Sequence, residues 1–265
     1  MTTGALMFAF NNEGIDYLKI AAWNAANIRR HLKIPVAVIT DEVVTTDVFD
    51  QVIHATKQDT DSRYFEDLNR TVTWYNANRP DAWDLTPWDR TLLLDADYVI
   101  ASDNLNLLLD MPTELMAFRD AYDMTNVNDF SGLNYFGKHH LPMWWATVMV
   151  FEHTNLTRFV FDSMKMIRAN WQHYRDLYGI NARTYRNDYA LSIALGIVQG
   201  HTPYADAIPW SMPSIMPGDK LTEYSRDAYK VEFTAQNGRR EYCCWANTDF
   251  HAMGKQDLGE IVAAS

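Results

Sequence analysis

The stretch Thr91-Leu92-Leu93-Leu94-Asp95-Ala96-Asp97-Tyr98-Val99-Ile100 decides the fold. A run this short and this apolar reads as a strand buried on both faces of a sheet. Its carboxyl end then delivers two aspartates to the edge where open α/β sheets bind ligands. Side chains alternate along a strand, so Asp95 and Asp97 point the same way wherever extended geometry persists. Two carboxylates on one side repel unless something positive lies between them. Oxygen ligands suit Mg²⁺ or Mn²⁺ in that role. The plain alternative is that these acids cap a following turn, and Asp103-Asn104 supplies more turn chemistry just downstream.

Upstream, Ala5–Phe10 reads as a first buried strand and Asn11–Gly14 as a turn. A helix follows, with Ile15, Leu18, Ala22, Ala25, Ile28 and Leu32 on its apolar face. Pro35 opens a second strand, Val36–Ile39, ending at Thr40-Asp41. This is a β-α-β unit, whose strands are expected parallel. It lacks the Gly-x-Gly-x-x-Gly of dinucleotide sites and any Walker-type loop. A short third strand is expected over Phe49–His54. A polar loop from Asp59 to Asn69 is expected to run into a helix that continues toward Asn78, with Pro80 stopping it.

Downstream, the pattern predicts a short helix or turn over Asn104–Leu109 and strands over Leu115–Phe118 and Trp144–Phe151. Between those strands, Asp120–Lys138 reads as a long loop. Asn155 is the expected N-cap of a helix reaching Trp171, and Asn187–Val198 forms another. Asn237-Gly238 marks a hairpin between Tyr229–Phe233 and Arg240–Cys244.

The chain has 265 residues, 48% of them hydrophobic and 13% aromatic, enough for a full core. Its net charge of −11 argues against non-specific nucleic-acid affinity. Arg29-Arg30, Lys138-His139-His140, Arg183 with Arg186, and Arg239-Arg240 are short basic spots that read as solvated surface. The only cysteines are the adjacent Cys243 and Cys244, so no disulfide framework is present. With no apolar leader or membrane-length run in the sequence, a cytoplasmic protein without membrane association is expected.

The strand–turn–helix–strand ending in Thr40-Asp41, followed by Asp89-Arg90-Thr91-Leu92-Leu93-Leu94-Asp95-Ala96-Asp97, resembles the GT-A glycosyltransferases. The likeness is greatest to their retaining, glycogenin-like group, and in overall style to small bacteriophage-encoded transferases. The resemblance implies an α/β, Rossmann-like, mostly parallel central sheet flanked by helices, with a small C-terminal β-hairpin region. It implies a nucleotide-sugar donor, UDP-linked by preference, with Asp95 and Asp97 holding Mn²⁺ or Mg²⁺ against its diphosphate. His251, in a segment similar to the family's His-x-x-Gly-x-x-Lys, is implied as a further metal ligand. Lys255 stands two residues early for the diphosphate contact. Phe10, Asn11, Asn12, Tyr17 and Asp41 stand where the family holds the nucleoside. Asp188 matches the acid of the family's Asp-Gln-x-x-Leu helix, without the Gln.

Asp188 is therefore a candidate catalytic acid that orients donor hydroxyls or stabilises positive charge; otherwise it is an acid favoured by a helix N-terminus. Arg63 is a candidate nucleotide contact or a solvated arginine. Trp144 and Trp145 either stack on an acceptor or pack in the core. The acceptor could be a glycan or a hydroxymethylated DNA base. Residues 1–110 are expected to form the nucleotide-binding half, 111–200 the acceptor side and 201–265 a closing segment. Two other readings remain open. One is a haloacid-dehalogenase-type phosphatase with Asp95 as nucleophile. The other is a non-catalytic relative that binds sugar nucleotides.

Overall fold

A computed structural model describes residues 1–58, 62–65, 70–75, 77–200 and 206–265, with backbone alone for residues 62–65, 70, 72 and 224. In chain order, the first half holds β1 (Thr3–Phe8), α1 (Tyr17–His31), β2 (Val36–Thr40), β3 (Gln51–His54), β4 (Ser62–Phe65), β5 (Arg70–Thr73), α2 (Ala82–Leu85), β6 (Arg90–Asp95), β7 (Tyr98–Val99) and α3 (Asn106–Leu109). Next come β8 (Leu115–Phe118), β9 (Ala121–Asp123), β10 (Tyr135–Phe136), β11 (Leu141–Pro142), β12 (Trp145–Glu152), α4 (Asn155–Ala169), α5 (Trp171–Tyr178) and α6 (Asn187–Val198). The last stretch holds β13 (Asp206–Ala207), β14 (Met212–Ile215), β15 (Lys220–Ser225), β16 (Ala228–Thr234), β17 (Arg240–Ala246), β18 (Phe250–Ala252) and α7 (Lys255–Ala264).

The central sheet runs β13-β8-β12-β6-β1-β2-β3. Its pairings are parallel except those of β12, which is antiparallel to both β6 and β8. The mostly parallel α/β sheet is thus as expected, and its inner strands are buried along nearly their whole length. Asn24 of α1, fully buried, ties that helix to the segment after β6. It donates to the Tyr98 carbonyl at 2.6 Å and accepts from the Ile100 amide at 3.0 Å. Among the described residues no helix is long and apolar enough to cross a membrane.

Several local expectations change. The apolar run does not continue as one strand. β6 stops at Asp95, Ala96 and Asp97 form a turn, and Tyr98–Val99 joins a second sheet, β7-β18-β14-β9. Of the polar loop and helix expected between Asp59 and Asn78, residues 59–61, 66–69 and 76 lie outside the described residues; the described part holds β4 and β5, which pair antiparallel, rather than a helix. Pro80 helps start a short 3-10 turn over Arg79–Asp81, because proline suits the first positions of a helix, where its missing N–H costs nothing. β1 begins at Thr3 and ends at Phe8, two residues short of the expected end. The N-cap of α4 is Thr154 rather than Asn155, and Thr157 closes the box from the other side. Asn170 ends α4, so Trp171 opens α5.

The expected long loop, 120–138, contains β9, a 3-10 turn over Ser131–Leu133, and β10. The buried Asp123 organises it, accepting from the amides of Thr125 and Asn128 and from both their side chains. The expected hairpin forms around Gly238 and gains β15 as a third strand. Near it, burial and the Asp123 carboxylate raise the Asp219 carboxyl to about 6. The folded protein keeps this proton over a range where the unfolded chain, titrating near 3.9, has released it. The stability contributed by this group is therefore present below about pH 4 and lost as pH rises through about 6. Thermal melts of Asp219→Asn are expected to show a raised Tm at pH 8 and no change at pH 4.

Candidate metal and nucleotide cleft

The site is built where β6 ends. Asp95 closes that strand opposite Phe8 of β1, and the turn at Ala96-Asp97 carries the chain toward β7. β18 pairs antiparallel with β7, setting His251 opposite Tyr98. The Ala252 amide donates to the Asp97 carbonyl at 3.0 Å, so His251 is held beside Asp97. One ligand atom from each of Asp95, Asp97 and His251 lies within 4.8 Å of the others. The two carboxylates converge because the turn folds Asp97 back, not because a strand alternates.

These residues line a cleft of about 310 Å³ at the carboxyl ends of β1 and β6 and the amino end of β12. Phe8, Phe10, Tyr17, Trp74 and Tyr75 contribute aromatic lining, and Trp145, Arg186 and Asp188 are also in its wall. Each of three acids there is paired with its own cation. Arg79, buried, donates to Asp95 Oδ1 at 2.7 Å and to the Thr147 carbonyl at 3.0 Å. Lys255 pairs with Asp97 Oδ2 and donates to the Ala252 carbonyl at 2.8 Å. Arg186 donates to Asp188 Oδ2 at 2.9 Å, and the Ala146 amide donates to the other oxygen at 2.9 Å.

Electrostatics follow from burial and pairing. Burial raises the Asp95 carboxyl to about 7, against the pull of Arg79 and with the push of Asp97. Burial also works against ionised Asp97, but Lys255 and His251 outweigh it and hold that carboxyl below the usual range. Burial lowers His251 to about 4, so its imidazole is neutral near pH 7 and keeps a lone pair for a cation. Its Nδ1 is buried with no hydrogen-bond partner among the described residues. Two carboxylates and a neutral imidazole form a donor set that suits Mn²⁺ or Mg²⁺, so the residues present fit a divalent cation.

Of the residues singled out in the sequence, Phe10, Tyr17, Asp95, Asp97, Trp145, Asp188, His251 and Lys255 meet in this cleft. Others do not. Asn12 Oδ1 accepts from the Gly14 and Ile15 amides, and Asn11 Oδ1 accepts from the Leu18 amide, so both shape the entry to α1. Asp41 pairs with Lys57 at 3.1 Å, and Lys57 in turn reaches the Asn11 carbonyl and lies over the Tyr75 ring. Trp144 lines a separate cavity of about 230 Å³ with Leu156, Val160 and Leu195. The side chain of Arg63 lies outside the described residues. Sequence reasoning passed over Arg79, and it read Arg186, with Arg183, as solvated surface, whereas Arg186 lines the cleft and pairs with Asp188. Arg186 stood in the sequence two residues before Asp188, a spacing that could have marked the pair.

No protein-family model and no curated protein matches the chain. Solved structures that resemble it include the glycosyltransferase GlyE of Streptococcus pneumoniae, at 12% identity and a TM-score of 0.45 over 79% of this chain and 46% of that one. The galactosyltransferase LgtC, in complex with donor and acceptor sugar analogs, is 13% identical with a TM-score of 0.46, covering 76% of this chain and 73% of that one. Mouse xyloside xylosyltransferase 1 is 12% identical with a TM-score of 0.44, covering 76% and 83%. The chain spans about half the length of GlyE.

Proposed function

We propose that the chain is a metal-dependent glycosyltransferase with a nucleotide-diphosphate-sugar donor. The observation that carries this reading is the gathering of Asp95, Asp97 and His251 in a cleft whose lining also includes aromatic rings and the paired acid Asp188. A planar base stacks on aromatic faces, which suits Phe10, Tyr17, Trp74 or Tyr75. Asp95, Asp97 and His251 are the residues that would hold the cation. When bound, it supplies Lewis-acid stabilisation of the diphosphate as the anomeric bond breaks. Asp188 is fixed on both oxygens, so it can orient sugar hydroxyls or face developing positive charge without reorganising.

The preference for uridine and the retained anomeric configuration follow from the family resemblance alone. Trp145, stacked against Phe130 at 6.4 Å, offers an apolar wall for an acceptor, read as a glycan or a hydroxymethylated DNA base. The test is a panel of UDP-, GDP-, ADP- and dTDP-sugars, each with Mn²⁺ or with a chelator, scored by release of nucleoside diphosphate. Slow donor hydrolysis that needs Mn²⁺ is the expected result. No release from any donor would overturn the proposal, and turnover of a phosphomonoester instead would favour the phosphatase reading of Asp95.

A further inference from the structure

Acids are spread unevenly around the mouth of the cleft. The chain carries 34 Asp and Glu residues, yet none falls in residues 130–151 or 177–187. These two segments meet on the side of the cleft that holds Trp145 and Asp188. Lys138, in the turn between β10 and β11, donates its backbone amide to the Tyr178 carbonyl at 2.8 Å. A Cβ at Gly179 would lie 2.9 Å from Lys138 Cγ, so the glycine that ends α5 leaves room for the lysine stem and fixes its course. Two residues before Lys138, Phe136 packs 4.9 Å from the ring of Tyr189, the residue that follows Asp188 in α6. Trp171 stacks on the same ring at 6.1 Å and donates its indole N–H to the Arg183 carbonyl at 2.8 Å. Arg186, in the cleft wall, lies 5.5 Å from the centre of that ring. Lys138, Arg183 and Arg186 are thus arranged around Tyr189, beside Asp188.

Most lysines and arginines whose side chains are described sit in ion pairs. Lys138 and Arg183 are exposed and have no carboxylate partner among the described residues. Two cations without counter-ions, on a rim without acids, give an acidic protein a local positive field. Tyr135, on the same hairpin as Lys138, is 54% exposed and has the Arg119 guanidinium 5.2 Å from its ring centre. Cations beside an exposed ring are the two elements that hold single-stranded nucleic acid, one for its phosphates and one for a stacked base. We propose that this rim binds a single-stranded nucleic acid as the acceptor, with phosphates on Lys138 and Arg183 and a base on Tyr135. The inference rests on the glycosyltransferase reading and names its acceptor. A duplex fits less well. Its stacked bases cannot reach into a cleft without being extruded. More of its phosphates would also face the acids elsewhere on a chain of net charge −11.

The probe is a fluorescein-labelled octathymidylate, followed by anisotropy in EDTA so that no metal can hold a phosphate. Wild type is compared with the double variant Lys138→Glu/Arg183→Glu and with Arg239→Glu/Arg240→Glu, two exposed arginines of the β16-β17 hairpin. Wild type should bind saturably, and two phosphate contacts on a single strand imply a loss of about sevenfold between 50 and 200 mM salt. The rim variant should bind about tenfold more weakly or worse and lose most of that salt dependence. The hairpin variant should bind as wild type does. If the rim variant does not fold, Lys138→Ala/Arg183→Ala replaces it, with the same loss expected. No saturable binding by wild type, or a folded rim variant that binds equally well, overturns the proposal. Tighter binding of a hairpin duplex, or of a heparin-derived oligosaccharide, overturns the assignment to a single-stranded nucleic acid. Wild type that hydrolyses a nucleotide sugar but does not bind the probe overturns the rim and leaves the glycosyltransferase reading intact. Wild type that binds the probe but releases nucleoside diphosphate from no donor sinks that reading, and with it the rim's role as an acceptor site.

Discussion

Asp97→Asn is expected to abolish the stabilisation that Mn²⁺ and a nucleoside diphosphate give the wild-type protein. A ligand at about a hundredfold its Kd stabilises the native state by about 2.7 kcal/mol. For a chain of this size that raises Tm by roughly 5–10 °C. Asparagine keeps the shape of the side chain and its contact with Lys255, but it lacks the charge that binds a cation and balances the ammonium. Donor turnover should fall by about a hundredfold or more, the scale of losing one preorganised electrostatic contact. Thermal melts with and without Mn²⁺ check the first effect, and nucleoside diphosphate release checks the second. A variant that kept the full ligand-induced shift would remove Asp97 from the metal site.

Arg90→Met should give the largest loss of stability, and its effect lies at the other end of the same strand. Arg90 is 1% exposed and opens β6. Its guanidinium pairs with Glu152 of β12 and donates to the carbonyls of Leu108 at 2.9 Å, Met111 at 2.6 Å and Thr113 at 3.2 Å. One side chain thus fastens α3 and the start of β8 to the sheet. Methionine fills much of the volume but leaves one carboxylate and three carbonyls without their donor. A cost of about 3–5 kcal/mol is expected, since truncating one partner of a buried pair strands the other. Differential scanning calorimetry should show Tm lowered by roughly 10 °C. Asp95 lies five residues along β6, roughly 17 Å away. Nucleotide affinity measured well below the melt should therefore stay near wild type. A variant with unchanged Tm would show that the carbonyls find other donors.

What the sequence made legible is what periodicity and short-range chemistry control. The β1-α1-β2 unit, β8, α6 and the Asn237-Gly238 hairpin follow from apolar spacing and turn residues, and they form largely where expected. Asp95, Asp97, His251 and Asp188 were visible because an acid pair at a strand end and a family-like segment stand out locally. The residues that complete the cleft were less so. Arg79 precedes a proline, which drew attention to helix ending rather than to a guanidinium turned into the sheet. β4 and β5 were masked by a polar stretch whose pairing is set by tertiary context, as strand propensity often is. Asn11 and Asn12 stand where the resemblance placed nucleoside contacts. Their side-chain oxygens accept from backbone amides at the entry to α1, because a short amide side chain reaches nearby backbone first.

The most direct test of the central claim is a crystal of the protein grown with Mn²⁺ and the nucleoside diphosphate that stabilises it best, with anomalous data collected at the manganese edge. The expected result is one strong peak at about 2.0–2.5 Å from a carboxylate oxygen of Asp95, one of Asp97 and a ring nitrogen of His251. The diphosphate should complete its coordination. A nucleotide bound in the cleft with no peak among those three residues would contradict it.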